Sequence, residues 1–280
     1  MKGLMIVSGN DASIAIAKHI SKDEKTFVER MNAKAKEIGM INTSFVNPNG
    51  LPIYDLQNPK ALPKENISTA RDIAKLGKYM FDNYEKEVVA ITDMQTYSYP
   101  ERGFQKNNTN ALLGIIPAVD GIKTGYTGNA GYCLAFSMVV DKDKDNEIRH
   151  RMIGVVLGAN HKEKRTSASL SILRYGKENF STKRVMEKDQ LIGKKYIKGL
   201  EELEVTLKSE DELYATLKNT ENLKSQITLK ELKYPVKKGD TIGVIKYFTE
   251  TGQVIGSVDI ISANNVDNIS FITKIKMIFT

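Results

Sequence analysis

The feature that most constrains this chain is a change of hydrophobic period near Phe180. Upstream, apolar residues recur at helical spacing, as in Phe27, Met31, Ala35 and Ile38, and again in Ile73, Leu76, Met80 and Phe81. Downstream, Val254, Gly256, Val258 and Ile260 alternate with Gln253, Ser257 and Asp259, the period of a half-buried strand. One repeating architecture cannot satisfy both patterns. The 280 residues are enough for an α+β domain over 1–180 and a small all-β domain, a β-sandwich, over 181–264.

The first segment is punctuated by local signals. Ile14, Ala15, Ile16, Ala17 and Ile20 predict a buried helix after Asn10, and a second helix spans Glu24 to Ile38, stopped by Gly39. Residues 40–67 hold four of the seven prolines and form a long irregular connection, of the kind that is functional or well pinned. Thr69 to Asp72 fits a capping box that starts a further helix. Strands are expected at Val88–Ile91, Cys133–Val140 and Met152–Leu157, the last two joined by the charged tip "DKDKDNE". A helix from about Lys162 to Tyr175 is expected to close on Gly176. In the second segment, "FTETGQV" marks a hairpin and "KKGD" a turn. The last residues, 265–280, place Phe271, Ile275 and Ile278 on one helical face, suited to a docking helix or to a membrane interface but too short to cross.

Composition removes several function classes. The single cysteine, Cys133, rules out an intrachain disulfide and a thiolate metal cluster. His19, His150 and His161 lack zinc-hydrolase spacing, and no phosphate-binding glycine motif is present, so no metal or cofactor is expected. The net charge of +7 suits an anionic surface and equally describes a generally basic protein. No run approaches the roughly 20 apolar residues of a membrane-spanning helix, and none has the form of an export signal. As written, the chain is expected to remain in the cytoplasm.

Two polar words remain. Ser8-Gly9-Asn10 follows an apolar run and opens a helix; by itself it reads as a cap for backbone N–H groups or as part of a site. Lys123-Thr124-Gly125 by itself reads as an edge strand with an exposed lysine. In this order and in these flanks they acquire a joint meaning. Through "SGNDASIAIAKHI", "FVERMNAKAKEIGMINTSFVNPNGL", "STARDIAKLGKYM", "NNTNALL", "DGIKTGYTGNAGYCLAFS" and "MIGVVLGANHKEKR", the chain resembles the low-molecular-weight penicillin-binding proteins, specifically the serine-type D-alanyl-D-alanine carboxypeptidases.

The resemblance implies a penicillin-binding-protein/beta-lactamase-like transpeptidase domain and removal of the last D-alanine from peptidoglycan stem peptides through a covalent acyl-enzyme. The S-x-N motif falls on Ser8 and Asn10, the K-T-G motif on Lys123, Thr124 and Gly125. It implies that Lys123 and Thr124 hold the substrate carboxylate, that Gly125 admits the substrate backbone, and that the Tyr126 N–H serves the oxyanion hole. Ser8 would pass a proton to the leaving amine and Asn10 would hold the substrate amide. Arg165 stands where the family carries an arginine, with a carboxylate-side role and a packing role both open. Arg71 and Asp72 are expected to form a structural network at a helix start. Partners implied are stem peptides ending in D-Ala-D-Ala, beta-lactams, and a membrane surface through the tail, without nucleic acid; the site of action is the outer face of the cytoplasmic membrane. The β-rich extension after Phe180 argues against a beta-lactamase.

The family's first motif, S-x-x-K, carries the nucleophile and its base. No serine here has a lysine three residues on; Ser21 is followed by Glu24, Ser68 by Arg71 and Ser181 by Arg184. The expectation is an incomplete chain lacking the nucleophile segment and its export signal, inactive by itself, with uncovered apolar surface and low solubility. The competing reading is a non-catalytic relative that binds stem peptides.

Overall fold

The structure, a computed structural model, describes residues 1–143, 147–197 and 200–267, and divides into two compact units. Unit 1 holds Met1–Val140 and Arg149–Glu178; unit 2 holds Asp141–Ile148 and everything from Asn179. Helices α1 (Lys2–Met5), α2 (Asn10–Ser21), α3 (Glu24–Glu37) and α4 (Ala70–Thr92) come first. The strands of unit 1 are β1 (Thr96–Tyr99), β2 (Phe104–Asn107), β3 (Val119–Thr127), β4 (Gly131–Val140) and β5 (His150–Ala159), followed by helix α5 (Lys162–Asn179).

β3, β4 and β5 form an antiparallel sheet in that order, and β1 pairs with β2. Period-two alternation on β4 separates its faces. Leu134, Phe136, Met138 and Val140 join Leu173 of α5 in one buried cluster. The opposite face is covered by α4, where Ile122 and Ile153 close over Gly77 so tightly that an added Cβ would lie 3.2 Å from each. A polar plug sits on the same side. Arg151 Nη1 donates to both Asp120 carboxylate oxygens at 2.6 Å, Nη2 donates to Glu85 at 2.7 Å, and the guanidinium lies 3.9 Å from the Phe81 ring centre.

The long 40–67 connection is pinned by asparagines. Asn66 Oδ1 accepts from the Val46 and Asn47 N–H groups, while Asn47 Oδ1 accepts from Gly50 N–H and its amide donates to the Leu51 carbonyl. It nevertheless leaves Ile41, Leu56 and Leu62 more than four-fifths exposed, at 84%, 91% and 92%. Three local expectations change. Val88–Ile91 is the last turn of α4, because a four-residue apolar run fits helix and strand alike and the helix is tied at its end by Thr92 Oγ1, 2.6 Å from the Asp120 carbonyl. Gly176 is a packing glycine within α5: a Cβ there would fall 1.9 Å from Met152 Cε, so the helix runs through it. Thr69 does cap α4, but Asp72 turns away from it, accepting from Asn42 N–H at 2.8 Å and Thr43 Oγ1 at 2.9 Å. Arg71, exposed, takes no part in that network; it lines a groove of about 680 Å³ beside α4 and β5.

Unit 2 is all-β. Its strands are β6 (Phe180–Met186), β7 (Leu191–Ile197), β8 (Leu200–Ser209), β9 (Leu213–Lys218), β10 (Leu223–Leu229), β11 (Thr241–Thr249) and β12 (Val254–Ser262). A five-stranded antiparallel sheet runs β10-β11-β12-β8-β7, and β6 pairs with β9. Val205, Leu207, Ile245, Val258 and Ile260 build its core. The β11–β12 hairpin turns at "FTETGQV", and Asp240 closes the "KKGD" turn by accepting from Lys237 N–H. Val266 bridges back to Val236; the rest of the expected tail, from 268, lies outside the described residues.

Candidate active site

The first half of β3, Val119–Ile122, is buried; the second half, Lys123–Thr127, emerges into a cleft of about 1010 Å³. β3 is an edge strand, paired only with β4 among the described residues. The K-T-G word is therefore where a buried apolar strand turns into a cleft wall with a free backbone edge. All seven residues singled out from sequence line this one cleft: Ser8, Asn10, Lys123, Thr124, Gly125, Tyr126 and Arg165.

Ser8 lies in the tight link between α1 and α2, its N–H bonded to the Leu4 carbonyl and that of Gly9 to the Gly3 carbonyl. Its φ of 65° is in the left-handed region, uncommon for a residue with a Cβ. The S-G-N word does not supply a side-chain cap for α2: Gly9 is the N-cap residue and no side chain bonds there. Asn10, exposed, has an amide without a protein partner among the described residues.

Lys123 Nζ donates to Ser8 Oγ at 2.8 Å and to the Thr124 carbonyl at 2.8 Å. Burial, and then the charge of Arg165, bring its pKa from 10.5 down to about 8. Thr124 Oγ1 donates to Thr109 Oγ1 at 2.7 Å. Arg165 is only 6% exposed, yet among the described residues its guanidinium makes just two long bonds, to the Cys133 carbonyl at 3.5 Å and the Thr109 carbonyl at 3.4 Å. Its Nε has no partner, one of two such buried side-chain atoms among the described residues. Neither Lys123 nor Arg165 has a carboxylate within ion-pairing distance among the described residues. Two cations without a carboxylate partner among the described residues, one of them with an unpaired Nε, thus share a hydroxyl-lined cleft, an arrangement complementary to an anionic group. No cluster of His, Cys, Asp or Glu suited to a metal occurs among the described residues.

Sequence reasoning passed over Thr109 and Tyr132. Thr109 sits in "NNTN" between two pinning asparagines: Asn108 donates to the Thr92 and Met94 carbonyls, and Asn110 donates to the Gly121 carbonyl on β3 at 3.0 Å. The density of asparagines was the available signal. Tyr132 stacks on the exposed Tyr126 with ring centres 4.3 Å apart, a cross-strand pair fixed by the β3–β4 register.

The fold defines the class: a transpeptidase-type α+β domain of penicillin-binding proteins, accompanied by an all-β domain. Residues 1–161 match the D-alanyl-D-alanine carboxypeptidase family, S11 peptidases, and residues 180–268 match the C-terminal domain of penicillin-binding protein 5. The chain belongs to the D-alanyl-D-alanine carboxypeptidase family. It is 32% identical to D-alanyl-D-alanine carboxypeptidase DacF of Bacillus subtilis, over 99% of this chain and 68% of that protein. It is 29% identical to DacA of Haemophilus influenzae, over 98% of this chain and 66% of that protein. The chain spans about two-thirds of the length of these curated relatives. Among solved structures, penicillin binding protein 5 from Haemophilus influenzae superposes with a TM-score of 0.69 at 30% identity, covering 95% of this chain and 73% of that one. Penicillin-binding protein D2 from Listeria monocytogenes, in its cefotaxime-bound form, superposes with a TM-score of 0.51 at 29% identity, covering 62% of this chain and 63% of that one.

Proposed function

We propose that the cleft beside β3 binds peptides ending in a free carboxylate, the D-Ala-D-Ala terminus of peptidoglycan stem peptides, as the carboxylate-side half of a D-Ala-D-Ala carboxypeptidase site. The observation that carries this reading is the pair of cations, Lys123 and Arg165, both largely withdrawn from water and both without a carboxylate partner among the described residues. A terminal carboxylate between them would accept from Arg165 and from the Thr124 hydroxyl, and would offset the desolvation that each cation now bears. The substrate backbone would lie along the free edge of β3, where Gly125 leaves room, and the Tyr126 N–H would polarise the scissile carbonyl. Asn10 would hold the substrate amide, and Ser8 would pass a proton from Lys123 to the departing amine.

The family reaction also needs the S-x-x-K serine as nucleophile and its lysine as base, and no S-x-x-K occurs in these 280 residues. This polypeptide by itself therefore binds the peptide end without the family's acylation step. That is equally the property of a stem-peptide-binding pseudoenzyme. Either way the ligand lies outside the cell, which places the working protein at the outer face of the cytoplasmic membrane.

Calorimetric titration with an acetylated peptide ending in D-Ala-D-Ala, against the same peptide amidated at its C-terminus, tests the binding. Saturable heat with the free acid and none with the amide is expected; equal binding of both would overturn the carboxylate reading. A fluorescent penicillin should leave no covalent band on a denaturing gel, and a stoichiometric band would overturn the claim of inactivity.

A further inference from the structure

We propose that Ser8 and Lys123 form a second, self-contained nucleophile–base pair, in which Ser8 Oγ attacks small activated acyl esters and Lys123 Nζ takes its proton. This goes beyond the family reading, in which Ser8 relays a proton and never bonds to the acyl group.

Four observations converge on the pair. The two side chains are 115 residues apart in sequence and 2.8 Å apart in space, at hydrogen-bonding distance for direct proton transfer. Ser8 is held with positive φ in a tight link between two helices, fixed by backbone bonds at 3.1 Å and 3.0 Å, so its exposed hydroxyl is presented to the cleft by the main chain. It lies one residue before Gly9, the N-cap of α2, where no side chain caps the helix, so the first-turn N–H groups favour negative charge developing nearby. Among the described residues Lys123 has no carboxylate partner to hold it protonated, and burial together with Arg165 brings its pKa down to about 8. When neutral, Nζ keeps two hydrogens, one for the Thr124 carbonyl, and offers its lone pair to the Ser8 hydroxyl.

The step balances without a further reactant. With 4-nitrophenyl acetate, the Ser8 O–H proton passes to Lys123 Nζ as the Oγ–acyl carbon bond forms. The acyl carbon–aryl oxygen bond breaks and nitrophenolate leaves as the anion. Acetyl-Ser8 is then open to hydrolysis: Lys123, having released its proton to solvent, deprotonates the attacking water, the acyl carbon–Oγ bond breaks, Ser8 Oγ takes the proton back from Nζ, and acetate leaves. An aryl ester needs little help at its leaving group, unlike the amide of a peptide, so the pair can act without an S-x-x-K serine.

The test is 4-nitrophenyl acetate acylation of the whole chain, followed by nitrophenolate release and by peptide mapping of the acetyl group. The expected result is a hydroxylamine-labile acetyl ester on Ser8, formed at a rate that rises with pH through a midpoint near 8. Ser8→Ala should abolish that adduct, and Lys123→Arg, which keeps the charge but cannot serve as base, should slow it about 100-fold. Far-UV circular dichroism of both variants should match the parent. If a variant does not fold, the mapping and the pH profile of the parent chain decide the matter. An acetyl group on Lys123 itself, resistant to hydroxylamine, would overturn the proposal by making the amine the nucleophile. So would acetylation at Ser8 no faster than at the other serines, or a rate without a midpoint near 8. Peptide-end binding can fail in calorimetry while Ser8 still acylates, so the two readings fall separately.

Discussion

Replacing Lys123 with methionine should make the folded chain more stable at neutral pH, although it removes two hydrogen bonds. The lysine titrates near 8 in the folded protein and at 10.5 when free, a difference of about 2.5 pH units. At about 1.4 kcal/mol per unit, the protonated lysine burdens the folded state by roughly 3 kcal/mol. Methionine keeps most of the apolar stem without the charge. Against this, the Thr124 carbonyl loses a donor, and Ser8 Oγ exchanges the lysine for water; together they cost about 1 kcal/mol. The expected net gain at pH 7 is about 2 kcal/mol. Its pH dependence has a definite sign. Below pH 8 the lysine is protonated in both states, so the full burden is present without any slope. Between pH 8 and 10.5 the unfolded chain holds a proton that the folded chain has released, and the parent's unfolding free energy climbs with pH. Urea unfolding followed by circular dichroism at pH 7 and pH 10, parent against Lys123→Met, measures this directly. The variant should lead at pH 7 and lose most of that lead by pH 10. A variant less stable at pH 7, or a gap that does not narrow, would refute the reasoning that Lys123 is a desolvated and uncompensated cation.

Three further outcomes follow from named contacts. Arg165→Ala should weaken binding of the D-Ala-D-Ala peptide by about 10- to 100-fold in calorimetry, the worth of a charged hydrogen bond. It should also raise the Lys123 titration measured by NMR, since Arg165 is one cause of its lowering. Gly154→Ala should cost about 1–3 kcal/mol in urea unfolding, because its Cβ would fall 2.1 Å from Phe136 Cζ in the sheet core. Arg151→Met should cost about 3–5 kcal/mol by leaving Asp120 buried without its partner, and adding Asp120→Asn should recover part of that loss.

What could be read from sequence was whatever is settled over a few neighbouring residues. Thr69 caps α4 because a side-chain oxygen three residues from an N–H reaches it within a single turn. β12 alternates because one of its faces is buried, and Val258 and Ile260 show the burial that their spacing implied. Where two local solutions were equally good, local reading failed. The Val88–Ile91 run continues a helix, and Gly176 lies inside one, because what decided each was a neighbour distant in sequence: Asp120 in the first case, Met152 in the second.

The site divides along the same line. Ser8, Asn10, Lys123, Thr124 and Gly125 were legible as two motifs in family order, and the resemblance they carry is what implied a carboxylate-ended peptide. The sequence also shows that no serine among these 280 residues has a lysine three positions on. Only the tertiary structure decided that Lys123 meets Ser8, that Thr109 holds the Thr124 hydroxyl, and that Arg165 enters the same cleft with Nε unpaired. The physical reason is that residue type and order fix which groups a chain can offer, whereas desolvation and charge–charge distance arise only when remote segments pack. A lysine has an ordinary pKa until a sheet, a helix and an arginine surround it, and neither the word K-T-G nor its position in the chain could state that.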